Sequence, residues 1–344
     1  MTTGMERLRA AINGTPIDRI PVFSVMLDQG AQEMGMSLRE YYSKGEYVAE
    51  GQLRMRAKYG YDNLWSLFYV GKEAELLGCR KMVYAEDGPP NVGDLVIRTP
   101  ADIARLEVPA SIEDHPAFAE PLKCLGLLRN AAAGQYPICA YLTASMTLPA
   151  ILMGMEKWME MVLLGPADLR DELLTKCSDF FRMQVEAYRR AGADIFVYSN
   201  PFGSTDIIPM KLLRTLSLPW MRRDLAGLSM DGMVYYCGGA GLFNALDLAA
   251  TELGFKAFYL APTDDIAAAK RVIAGRGLVG AVINDAMLLD WTETEIRTEV
   301  RRICEAGKPG GKFFFGTLLM PYRIPERNIR ALFDAAYEFG ALGG

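Results

Sequence analysis

At 344 residues, with 51% hydrophobic and 23% charged, the chain has the composition of a globular protein with a large core. Barrels of α/β type often use this length as one domain. A net charge of −5 without any basic run excludes an electrostatic footprint for nucleic acid.

The opening segment (MTTGMERLRAAINGTPIDRIP) contains a short amphipathic helix and lacks the apolar run of a signal peptide. Residues 19–27 form the first β-rich apolar run and residues 62–69 the second. The interval 73–98 then breaks the pattern, and its strand-like pieces around Gly88-Pro-Pro-Asn91 read as an inserted hairpin. Residues 136–142, 194–199, 233–237, 256–260, 278–283 and 312–315 complete a set of eight strand-like runs. Long periodic segments lie between them: 166–190, 209–230, 264–274, 292–306 and 325–337. Strands apolar on both faces and separated by helices mean a parallel sheet. Eight of them predict a closed (β/α)₈ TIM barrel, a single domain over 1–344, with a doubly wound open sheet as the alternative. The longest apolar stretch, 148–155, is too short and interrupted to span a bilayer. Six cysteines, at 79, 124, 139, 177, 237 and 304, occur singly with no C-x-x-C pair. That usage fits the reduced thiols of a cytoplasmic protein better than a disulfide framework.

In a barrel, chemistry sits where strands end on the C-terminal side. Those ends read Asp28-Gln29, Tyr69, Tyr141-Leu-Thr-Ala-Ser145, Tyr198-Ser-Asn-Pro-Phe202, Cys237, Ala261-Pro262, Asn284-Asp285 and Gly316-Thr-Leu-Leu-Met320. The mouth is therefore lined by amides, carboxylates, hydroxyls and aromatics. It contains no arginine pair for a polyanion, and the chain's one histidine, His115, sits far off before a helix.

The ordering Asp18-Arg-Ile-Pro-Val22, Glu73-Ala-Glu-Leu-Leu-Gly-Cys79, Gly192-Ala-Asp-Ile195, Tyr236-Cys-Gly-Gly239 and Gly280-Ala-Val-Ile-Asn-Asp285 resembles the uroporphyrinogen decarboxylase superfamily. Within it the chain is most similar to the corrinoid-dependent methyltransferases, over essentially its whole length. The resemblance implies a barrel with substrate in its C-terminal mouth, and a corrinoid-binding protein as partner. Two departures narrow it. The decarboxylases carry an arginine-rich stretch after strand one, where this chain has Met26-Leu-Asp-Gln-Gly-Ala-Gln32. A porphyrinogen bearing eight carboxylates needs cationic partners, so decarboxylation is not expected. The thiol-directed methyltransferases carry His-x-Cys after strand five and a cysteine after strand eight, where this chain has Tyr235-Tyr-Cys237 and Gly316-Thr-Leu-Leu-Met320. One remaining thiolate does not hold zinc in tetrahedral N/S coordination, so no metal is expected.

A thiol acceptor must be deprotonated before it attacks, and zinc does that. The N5 amine of tetrahydrofolate already has a free lone pair. The paired loss therefore points to one-carbon chemistry: methyl transfer between methylcobalamin on the partner corrinoid protein and tetrahydrofolate. The alternatives are a corrinoid methyltransferase acting on a thiol or a small methylated amine or ether, and a non-catalytic barrel that binds a small molecule. A pterin edge calls for carboxylates and amides. Asp28, Asn200, Asp206, Asn284 and Asp285 are the candidates for it, with Asn200 and Asp285 in catalytic roles. Tyr141, Tyr235 and Cys237 are expected to line the pocket. The same residue types also serve as turn formers, helix caps and core fillers. Methionines 146, 153, 155, 159 and 161 fall after strand three as core or as an adaptable rim for the corrinoid. The assembly is open, and a homodimer is compatible with the reading.

Overall fold

A computed structural model describes residues 2–343. Eight parallel strands form one sheet: β1 Val22–Val25, β2 Leu64–Trp65, β3 Ile138–Thr143, β4 Ile195–Ser199, β5 Met233–Tyr236, β6 Ala257–Tyr259, β7 Leu278–Val282 and β8 Phe313–Leu319. All eight expected strands are present. The hydrogen-bonded order runs β1-β8-β7-β6-β5-β4-β3-β2, which leaves β1 and β2 to meet at a seam. Asp62 and Asn63 close it. The Asp62 amide donates to the Val22 carbonyl (2.8 Å), and the Asp62 carboxylate accepts the Val22 amide (2.8 Å). The Asn63 side chain accepts the Ser24 amide (2.9 Å) and donates to the Ser24 carbonyl (3.1 Å). Side chains here replace a backbone ladder, and the sheet becomes a barrel.

Strands β4 and β7 (Ile-Phe-Val-Tyr-Ser and Leu-Val-Gly-Ala-Val) are buried at every position. One face packs into the lumen and the other under helices, as parallel strands require. The enclosing helices start and stop by local signals. A Thr3–Glu6 capping box opens Gly4–Asn13, and Gly14 ends it at φ +69°. A second box, Thr292–Glu295, opens Glu293–Gly307. The expected helix over 209–230 is broken into Met210–Leu212, a π-helical turn Leu213–Ser217 and Leu218–Leu225. Pro219 lacks the amide that a regular turn needs, and the wide turn absorbs the defect. Strand β8 runs to Leu319, beyond the expected 312–315, because its ladder with β1 resumes after a bulge and pairs Val25 with Leu319.

The insertion is a small antiparallel hairpin, Met82–Val83 against Asn91–Val92. It stands over one side of the C-terminal mouth and, with Leu27, Tyr69, Ile151 and Leu319, encloses a second cavity of about 400 Å³. All six cysteines are free and buried. Among the described residues no helix is long and apolar enough to cross a membrane.

Candidate active site

A cavity of about 560 Å³ runs along the barrel axis. The N-terminal helix floors it with Met5, Leu8 and Ile12, and its upper rim includes Val70, Gly238, Leu318 and Leu319. The walls are largely aromatic: Phe23, Trp65, Tyr141, Tyr236, Tyr259 and Phe314. Barrels of this type usually fill their lumen with branched side chains. Here two glycines let rings lie flat against the wall instead. A Cβ at Gly280 would stand 1.9 Å from the Phe314 ring, and one at Gly316 would stand 2.3 Å from the Tyr259 hydroxyl. Tyr259 stacks on Phe314 with centroids 5.3 Å apart, and its hydroxyl donates to the Thr317 carbonyl at 2.6 Å. Such a lining favours flat, apolar ligand groups.

Polar groups gather at the C-terminal end. Tyr141 shares a 2.6 Å hydrogen bond with the Ser199 hydroxyl. Tyr236 stands level with Ser199 in β4 and with Tyr259 in β6. Asp285 follows β7, is buried, and leaves Oδ2 without a partner. Burial pushes its carboxyl up to about 7, against the opposing pull of the Asp285 and Ala286 amides. Its charge bears on Tyr236 and Tyr259, two rings of the cavity wall. Asp28, after β1, accepts the Tyr42 hydroxyl and keeps Oδ2 free of partners. Burial raises it to about 6, although that hydrogen bond pulls the other way.

The expected residues divide into two groups. Tyr141 lines the cavity; Asp285 does not, although its charge bears on Tyr236 and Tyr259, which do. Asn200 is buried behind the wall, its Oδ1 accepting the Thr147 hydroxyl at 2.9 Å and its Nδ2 without a partner. Asp206 is exposed and accepts the Gly241 amide at 2.7 Å, a loop-fixing contact. Asn284 is exposed at the start of a 3₁₀ turn. Tyr235 and Cys237 do share one side of β5, but it is the outer side. The Tyr235 hydroxyl donates to the Gly203 carbonyl at 3.3 Å, and its ring packs against Tyr198 and Phe255 beneath the helices. Neither residue is among those lining the cavity. The lumen position on β5 belongs to Tyr236. Strand alternation is clear in the sequence, but its phase is not, because β5 is apolar on both faces.

Two features escaped the sequence reading. Tyr236 was hidden by that phase. Glu73 was legible only as a motif residue, yet its carboxyl is buried behind Tyr141. His115 accepts the Ala117 amide at 3.2 Å as a helix cap.

Among the described residues no group of three or more His, Cys, Asp or Glu converges as a metal site. Burial raises the Cys237 thiol far above the usual range, which disfavours a thiolate ligand there. The residues present do not fit a tetrahedral N/S zinc site.

Residues 3–339 match the family described as uroporphyrinogen decarboxylase (URO-D). Methylcobamide:CoM methyltransferase MtaA of Methanosarcina barkeri is 23% identical, covering 97% of this chain and 98% of its own. A uroporphyrinogen decarboxylase of Geobacter metallireducens is also 23% identical, over 94% of this chain and 96% of its own. A solved methyltransferase from Methanosarcina mazei superposes with a TM-score of 0.84 at 20% identity, covering 99% of this chain and 100% of that one. With the barrel, the inserted hairpin and the terminal helices all inside the matched span, the chain belongs to the uroporphyrinogen decarboxylase family.

Proposed function

We propose that the protein is a methyltransferase that moves a methyl group between methylcobalamin, carried by a partner corrinoid protein, and tetrahydrofolate, without zinc. One observation carries the choice of acceptor. Tyr235 and Cys237 point away from the cavity, so no ligand set stands at the mouth to deprotonate a thiol. A buried carboxyl with an unspent oxygen, Asp285, stands there instead. Such a group accepts the ring N–H and amino donors of a pterin. The aromatic walls take the flat ring, exclude water and hold N5 in line with the incoming methyl. Methylcobalamin supplies the methyl with cobalt as leaving group. The exposed Met155 follows Gly154 of the hairpin-covered cavity and, with Leu163 and Leu164 on the same helix, suits a corrinoid-protein contact. Reduced, buried cysteines suit a cytoplasmic protein.

A second reading, methyl transfer to a thiol, is favoured by the coenzyme M methyltransferases among the relatives. Mixing the protein with methylcobalamin and either tetrahydrofolate or a thiol, and following the corrinoid spectrum, separates the two. Demethylation with folate alone supports the proposal. Turnover with a thiol, together with stoichiometric zinc by metal analysis, overturns it. No exchange with either substrate leaves the barrel as a binding protein.

A further inference from the structure

Glu73 is the second residue of the short helix Lys72–Leu76 and lies 5% exposed behind β3. Its Oε1 accepts the Thr143 amide at 3.0 Å, and its Oε2 has no partner. The Gln184 side-chain oxygen and the Thr143 hydroxyl are also buried without partners. Beside Glu73 and Gln184 lies a small space of about 10 Å³, bordered also by Tyr69, Tyr141 and Tyr188. That volume is about one probe sphere, the room a single water needs, and the lining offers the two to four polar partners such a water requires. Tyr141 borders both this space and the axial cavity, and its hydroxyl is bonded to Ser199.

We propose that Glu73, through one buried water, is a proton-exchange group that serves the axial cavity by way of the Tyr141 and Ser199 hydroxyls. The proposal deepens the methyl-transfer reading and rests on it for the step served. In that step the N5 lone pair forms the bond to carbon while the cobalt–carbon bond breaks, and cobalt keeps the electron pair. N5 of tetrahydrofolate carries one hydrogen, so the methylated amine must then release a proton. Tyr141 and Ser199 can each accept one proton and donate another, delivering the charge to the Glu73 carboxylate. Run backwards, the same chain protonates N5 as it leaves. Glu73 does not touch substrate and acts as a positioning residue for the proton.

A purely structural role fits less well. Glutamine at this position would accept the Thr143 amide equally and would also donate to Gln184. The Thr143 and Gln184 side chains favour its ionised form while burial opposes it, so the site accommodates both charge states. Burial raises Glu73 to about 7, so its proton is exchangeable near neutrality. The groups facing it are otherwise fixed in charge there. From β3, Tyr141 is pushed up to about 12 by burial. From the helix Ala167–Ala191, Tyr188 and Cys177 are both raised by burial. The helix Pro116–Ala132 presents Phe118 and Pro121. On the short helix itself, the Lys72 ammonium is paired with Glu75 at 2.5 Å.

The test uses the full chain and the variants E73Q and Y141F. Infrared spectra across pH should show a protonated-carboxyl band with a midpoint near 7 that is missing from E73Q and kept in Y141F. Single-turnover demethylation of methylcobalamin by tetrahydrofolate should slow by roughly 10²-fold or more in both variants, with loss of the matching inflection in the pH–rate profile. Absence of the band from the wild type overturns the proposal. So does a slower E73Q that keeps the wild-type profile, because a structural defect leaves its shape unchanged. If folate proves not to be the acceptor, the infrared titration still decides whether Glu73 exchanges protons, while the spectral assay reports the failure of the acceptor assignment separately.

Discussion

The two ends of the barrel use buried carboxylates in opposite ways. At the seam between β1 and β2, Asp62 is fully buried and fully engaged. Arg7 reaches it at 3.0 Å and Arg19 at 2.5 Å, and it also accepts the Val22 amide. Around the C-terminal mouth, Asp28, Glu73 and Asp285 are buried with no arginine or lysine on them, and each keeps one oxygen without a partner. A compensated buried charge locks parts of a fold together, because removing one member strands the others. An uncompensated carboxyl instead holds its proton loosely near neutral pH and leaves a lone pair available to a ligand. The same residue type thus closes the barrel at one end and, in the proposed function, equips a site at the other.

The largest test of this contrast is Asp62→Ala. Stranding two half-buried guanidinium groups and opening the seam should cost about 3–5 kcal/mol, read as a lower urea midpoint and Tm. If stability changes by less than the cost of one surface pair, the seam is not held by this network. Asp285→Asn should do the reverse. It should leave the urea midpoint nearly unchanged and weaken tetrahydrofolate binding by about 10- to 100-fold, the worth of a charge-assisted hydrogen bond. Calorimetric titration measures it, and unaltered affinity would remove Asp285 from the pterin edge.

A third test is a pH dependence. Glu73 and Asp285 are both raised to about 7 in the folded protein. In the unfolded chain such groups titrate at about 4. The folded state therefore binds more protons between those values, and stability falls as pH rises through that window. The stabilisation is complete below about 4 and gone above 7. Urea midpoints at pH 5 and pH 8 should differ less in the E73Q/D285N double variant than in the wild type. An equal difference in both proteins would mean that these carboxyls are not the source.

Much of the fold was legible because it is written locally. Apolar runs, capping boxes and helix-ending glycines mark each strand and helix, and their alternation alone implies a parallel sheet. Residues at strand ends follow from the same pattern, which puts Tyr141 and Asp285 at the C-terminal end of the barrel. Asp206 and Asn284 were reached by the same rule, yet they fix a loop or face solvent, since a strand end supplies both lining and turn residues.

Eight strands, their helices and the want of a His-x-Cys pair are all readable from the order of residues along the chain. Packing settled which side of β5 faces the lumen, because a strand buried on both faces carries no mark of its phase. It also decided that two glycines open the lumen to stacked rings, and that Glu73 lies behind Tyr141. Those are contacts between residues far apart in the chain, and no local pattern encodes them.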